Sequence, residues 1–165
     1  MTCLGISVAS AAGSGEFEPN DDSFHATPVQ LNGSYGATVE TSNDEDWYVL
    51  RVNGGTQVEI VAERQGSADP EDVGNVIAVE VRQGTERVEA QLVASDVPLV
   101  VNYTVESAPV RKRPCRHLQR RSARKACIKR ARARARRNAP PVQVAVADGC
   151  SPSCGPHIYR LSIRG

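Results

Sequence analysis

From Trp47 onward, apolar side chains recur at every second position in short runs, and this constrains the fold more than any other feature of the 165-residue chain. In Trp47–Val52, Tyr48, Leu50 and Val52 share one face, while Trp47, Val49 and Arg51 share the other. In Gln57–Ala62, Val58, Ile60 and Ala62 alternate with Gln57, Glu59 and Val61. A period of two places successive side chains on opposite faces of a strand, so these runs predict sheets with one buried face. Further strands are expected at Val39–Glu40, Asn75–Arg82, Arg87–Ala94, Leu99–Glu106, Val142–Ala147 and His157–Arg164. Asn53-Gly54-Gly55 is the clearest turn and predicts a tight hairpin between its two flanking strands. Many short strands separated by Gly and Asp turns predict a mainly β fold, a β-sandwich or jelly roll.

One segment breaks this pattern. Residues 111–137 hold 14 of the 20 Lys and Arg and no acidic residue, leaving 6 basic against 19 acidic residues elsewhere, a net of −13. The overall charge of +1 therefore describes neither part. Residues 115–137 are rich in Ala, Arg and Lys and lack Gly, so they favour helix, and Pro140-Pro141 ends the segment. The sequence thus predicts a basic α-helical insert over 111–141, before the last strands of the sandwich. On one straight helix Cys115 and Cys127 lie about 18 Å apart along the axis, at about 1.5 Å per residue. A disulfide needs Cα atoms within about 7 Å. The two cysteines therefore stay unpaired on a single helix or meet across a bend near Arg121–Arg124. The second option is a small stapled helical hairpin, and it is the one favoured here because exported thiols pair.

The cysteine count points to an oxidising compartment. Cys3 lies in an apolar run, Met1–Ala12, which ends in the small residues Ala9-Ser10-Ala11 and reads as a truncated signal peptide; a disordered tail is the alternative. Its removal leaves Cys115, Cys127, Cys150 and Cys154, an even number, and the expected pairs are Cys115–Cys127 and Cys150–Cys154. The second pair closes a Pro-rich turn between the last two strands and is expected to brace a hairpin. A zinc site there, with His157, lacks a complete ligand set. No apolar run reaches the roughly 18 residues that span a bilayer.

Two acidic clusters precede the strands. Glu16-Phe17-Glu18-Pro19-Asn20-Asp21 lays out oxygen-bearing side chains, and Asp44-Glu45-Asp46-Trp47-Tyr48 opens a strand. This order, closed by the Tyr-containing strand at Ile158–Ile163, resembles the bacterial pre-peptidase C-terminal domain, a secreted β-sandwich found beside proteases and other exported domains. The resemblance covers about Glu16–Ser107 and Val142–Arg164 and leaves out the basic insert. It is similar also to the collagen-binding domains of bacterial collagenases, whose corresponding segments hold calcium. What the resemblance implies is a calcium site made by Glu16, Glu18, Asn20, Asp21, Asp44 and Asp46. Hard oxygen donors suit calcium, which takes six to eight of them. The plainer reading of the same residues is a capped turn and a strand end in water.

Other chemistry is poorly supported. The three histidines, His25, His117 and His157, sit beside no G-x-S-x-G elbow, and there is no H-E-x-x-H, phosphate loop or dinucleotide fingerprint, so no enzyme is expected. Trp47, the only Trp, is expected to anchor the core because of the area it buries. Arg111, Lys112, Arg113, Arg116, Arg120, Arg121, Arg124, Lys125, Lys129 and Arg130 form a candidate polyanion-binding surface. The insert lacks aromatic side chains to stack on bases, which disfavours nucleic acid and leaves an extracellular or cell-envelope polymer, or the chain's own acidic sandwich. A solvated, inert helix is the bland alternative. The expected function is a secreted, non-catalytic accessory domain, with a polyanion-binding module as the competing class.

Overall fold

The computed structural model describes residues 18–40, 44–65, 76–93, 97–110, 115, 117–149 and 157–165. The expected leader, Glu16, the Cys150–Cys154 pair and Arg111, Lys112, Arg113 and Arg116 lie outside the described residues. Within them, nine strands form two facing sheets. The strands are β1 (Thr27–Val29), β2 (Gly33–Val39), β3 (Glu45–Leu50), β4 (Gln57–Arg64), β5 (Ile77–Gln83), β6 (Glu86–Val93), β7 (Leu99–Thr104), β8 (Val142–Asp148) and β9 (His157–Arg164). A single helix, α1 (Arg121–Arg137), lies between β7 and β8. The five-stranded sheet runs β1-β3-β8-β5-β6, and the four-stranded sheet runs β2-β9-β4-β7. The protein is a mainly β sandwich with a helix before its last strands, as the sequence predicts.

The alternation sets the core. Tyr48, Leu50, Val142, Val144, Val146, Ile77, Val79 and Val81 point inward from one sheet. Tyr35, Ala37, Val39, Val58, Ile60, Ala62, Leu99, Val101, Tyr159, Leu161 and Ile163 point inward from the other. Strands such as β5, β8 and β9 thus contribute every second residue, as sandwich packing requires, whereas β6 at the sheet edge buries only Val93. The Tyr48 ring bridges the sheets, 6.3 Å from the Tyr35 ring and 6.4 Å, edge-on, from the Tyr159 ring. These tyrosines are interior and form no exposed stripe.

Three local expectations are corrected. Asn53-Gly54-Gly55 does not close a hairpin: β3 and β4 belong to opposite sheets, and the turn is an arch between them. β8 and β9 likewise lie in opposite sheets, so these two strands form no hairpin. Turn residues report a reversal of the chain and not which partner the strands then find. Trp47 is buried, but on the outer face of the five-stranded sheet. The Arg82 guanidinium covers its ring at 5.4 Å, and its indole N–H donates to Glu45 Oε2 at 3.0 Å. Because Asp46 and Tyr48 point inward, register sends Trp47 outward whatever its size.

The expected helical hairpin is also corrected. Cys115 and Cys127 are joined by a disulfide, with Cα atoms 5.8 Å apart, but only one helix is present among the described residues. The chain turns at 117–120, ahead of the helix. The C-terminal turn of α1 is stitched to the arch. The Gly54 N–H donates to the Arg136 carbonyl at 2.7 Å, and the Ala108 N–H to the Ala135 carbonyl at 3.1 Å. Arg134, Arg136 and Arg137 in the last turn suit the negative end of the helix dipole.

The arch needs Gly54. A Cβ there would lie 2.6 Å from Ser107 Cα, a backbone atom that cannot swing aside. Gly54→Ala is expected to cost about 1–3 kcal/mol, as overpacking does. Gly55 has φ +88 and open space around it, so Gly55→Ala should cost only the strain of a left-handed residue, about 1 kcal/mol. Urea midpoints of the two variants test the order; equal losses would show that close approach at Gly54 is not limiting.

Candidate functional site

The site is built at the start of β3. Asp46 occupies an inward position two residues before Tyr48, so its carboxylate enters the sandwich and is fully buried. Tyr159 reaches across from β9 and donates its hydroxyl to Asp46 Oδ2 at 2.7 Å. The Tyr48 and Tyr159 hydroxyls are 2.6 Å apart, completing a chain of polar atoms through an otherwise apolar core. Burial, followed by the neighbouring Tyr48 and Asp46, pushes the Tyr159 phenol far above its ordinary range. It is therefore a neutral donor to a carboxylate acceptor, a strong form of hydrogen bond.

The segment 18–20 docks beside β3: the Trp47 N–H donates to the Asn20 carbonyl at 3.0 Å. This brings Glu18 over Asp46 and buries Asn20 completely. Asp44, just before the strand, accepts from the Glu40 N–H at 2.6 Å through Oδ2. Oxygens of Glu18, Asp44 and Asp46 consequently lie within 4.8 Å of one another. Two orientations of the Asn20 amide meet different partners. In one, Nδ2 donates to Thr27 Oγ1 at 3.4 Å and the amide oxygen faces the carboxylates. In the other, Nδ2 donates to both Glu18 oxygens at 3.0 Å and to Asp46 Oδ1 at 3.2 Å. The buried amide group thus stands against Glu18 and Asp46. Like charges this close need a proton, a cation or a donor between them. Three carboxylates and an amide oxygen are the hard donor set of calcium, with solvent available to complete six to eight ligands because Glu18 is exposed.

Of the sequence-predicted ligands, the structure gathers Glu18, Asn20, Asp44 and Asp46. Asp21 is exposed and stands outside the group, and Glu16 is outside the described residues. Sequence reasoning missed Tyr159 as the partner of Asp46, since nothing links β3 to β9 before the sheets are paired. The histidines lie apart: His25 is exposed against Asp22, His117 is exposed, and His157 is buried with Nε2 3.3 Å from Asp148 Oδ1.

The described basic residues of the predicted polyanion surface, Arg120, Arg121, Arg124, Lys125, Lys129 and Arg130, are all exposed on or just ahead of α1. The surface continues past them through Arg132, Arg134, Arg136 and Arg137, which the sequence reading left out although the same helical spacing runs on. Among the described residues no α1 Lys or Arg is ion-paired. Arg82 and Arg87 pair with Glu80, and Arg164 pairs with Glu59. Neutralisation by the chain's own sandwich is therefore not seen at these positions.

No protein-family model matches this sequence, and no curated protein matches it. Among solved structures, the pre-peptidase C-terminal domain of collagenase from Bacillus anthracis is similar, with a TM-score of 0.49 at 10% sequence identity, covering 84% of this chain and 94% of that chain. It belongs to the family whose motifs the sequence resembles. At that level of likeness no function passes from one chain to the other. No helix among the described residues is long and apolar enough to cross a membrane.

Proposed function

We propose that this chain is a non-catalytic accessory β-sandwich acting outside the cell, and that Glu18, Asn20, Asp44 and Asp46 hold a calcium ion that fastens the N-terminal segment to the start of β3. The observation that carries the reading is the grouping of Glu18, Asp44 and Asp46, whose oxygens lie within 4.8 Å of one another, with the buried Asn20 amide against Glu18 and Asp46. Glu18, Asp44 and Asp46 would hold such an ion through their carboxylates, with Asn20 beside them and Tyr159 holding Asp46 Oδ2 in place. The metal supplies charge compensation and rigidity, with no bond-breaking chemistry attached. The extracellular setting is supported by the leader-like Met1–Ala12 run and by the Cys115–Cys127 disulfide, which an oxidising compartment maintains.

Calcium should stabilise the folded state by linkage, about 4 kcal/mol at 1,000 times its dissociation constant. Melting in chelator and in millimolar calcium measures this. A rise in melting temperature that Glu18→Gln and Asp44→Asn both diminish is the expected result. Identical melting curves with and without calcium would remove the site and leave the acidic group as a capped strand end.

A further inference from the structure

We propose that the groove between α1 and the β3–β4 arch binds a linear anionic polysaccharide, carboxylated or sulfated. Lys125, Lys129, Arg132 and Arg136 follow one another at intervals of four, three and four, which puts all four on one face of the helix. They span about 16 Å at about 1.5 Å per residue. That face forms one wall of an open groove, and Asn53 and Thr56 of the arch stand on the other. The groove is built and not incidental, because the Gly54 N–H holds the Arg136 carbonyl at 2.7 Å and fixes the helix end against the arch.

Charge complementarity identifies the occupant. Four cations in a row with no ion pair among the described residues repel one another, and an anionic chain lying along them relieves this and releases counterions. No aromatic side chain lines the groove, so bases have nothing to stack on. Asn53 and Thr56 offer an amide and a hydroxyl, which donate to and accept from sugar hydroxyls. The choice of a polysaccharide rests on the extracellular reading above; the groove itself does not, and it shares no residue with the calcium cluster.

The test uses the full chain and immobilised heparin and alginate as probes, with dextran and duplex DNA beside them, in chelator and again in calcium. Heparin or alginate should retain the protein and dextran should not. With four contacts, the log of affinity should fall against the log of salt with a slope of about −3, counting roughly 0.7 per contact. Lys125→Gln/Lys129→Gln/Arg132→Gln should weaken binding at least tenfold. Arg124→Gln/Arg130→Gln/Arg134→Gln, which removes the same charge off the groove, should change it less than threefold. Equal losses in the two triple variants would overturn the groove and leave a diffuse charge effect. Tighter binding to DNA than to either polysaccharide, or a concentration-dependent dimer abolished by the groove variant, would replace the proposed occupant. Retention that persists while calcium leaves the melt unchanged would sink the metal site and keep this one.

Discussion

Tyr159→Phe is expected to destabilise the sandwich by about 2–3 kcal/mol, the cost of removing a hydrogen bond to a charged group and leaving a buried acceptor short of a donor. In a domain of this size that lowers the melting temperature by roughly 5–10 °C. The ring stays, so no cavity opens, and the loss measures the hydroxyl alone. Asp46 Oδ2 loses the hydroxyl it takes at 2.7 Å, and the Tyr48 hydroxyl loses its neighbour at 2.6 Å. Adding Asp46→Asn should return part of the loss, since the acceptor of the lost hydrogen bond is then neutral. If the double variant instead falls by the sum of the two single effects, the hydroxyl and the carboxylate are not coupled and this polar chain is not the anchor of the site.

The same residue sets a limit at alkaline pH. The Tyr159 phenol is raised in the folded protein, by burial first and then by Tyr48 and Asp46, whereas an unfolded tyrosine titrates near its ordinary value of 10.0. The folded state therefore holds a proton that the unfolded state releases. Its contribution is complete below about pH 10 and declines above it, by about 1.4 kcal/mol per pH unit for one proton. Tyr103 adds to this in the same direction, through burial and the nearby Glu106. Removing the Tyr159 hydroxyl should flatten the alkaline limb while lowering the plateau. An unchanged limb would assign it to other groups.

The parts of the fold legible in the sequence are those carried by local periodicity. The inward row Val58, Ile60, Ala62 and the inward pair Tyr48, Leu50 are both visible as alternation, because the pleat forces it on any strand with one dry face. The first half of β2 escaped notice since Gly33 and Gly36 interrupt its pattern with residues that favour turns. Pairing was not legible at all. The link at Asn53-Gly54-Gly55 looks like a hairpin turn, yet strand partners are chosen by contacts distant in sequence. The acidic group was legible in part. Residue types marked Glu18, Asn20, Asp44 and Asp46, whereas the partner Tyr159 lies 113 residues from Asp46 in the chain. The groove on α1 was legible as charge but not as a shape, because its second wall belongs to the arch.

Replacing residues 111–138 by a short Gly-Ser linker is expected to leave a cooperatively folded sandwich, less stable by about 3 kcal/mol. The losses are countable. Two backbone hydrogen bonds from Gly54 and Ala108 to α1 disappear, at about 1 kcal/mol each, together with the burial of Ala135 and Cys115. What remains explains why the sheets persist. Gln83, buried at the end of β5, accepts from the Glu106 N–H at 2.8 Å and from the Tyr103 hydroxyl, and it donates to the Glu106 carbonyl at 2.8 Å and the Pro140 carbonyl at 3.2 Å. It therefore clamps the chain on both sides of the excised segment, and a shorter loop costs little closure entropy. Circular dichroism should lose its helical signal and keep the β signal. The excised protein carries a net of −13, so its melting temperature should climb with added salt as self-repulsion is screened, more steeply than that of the parent. An unfolded product would mean that α1 holds the arch in place and that the sandwich is incomplete without it. A folded product that still binds heparin would place the anion site off the helix altogether.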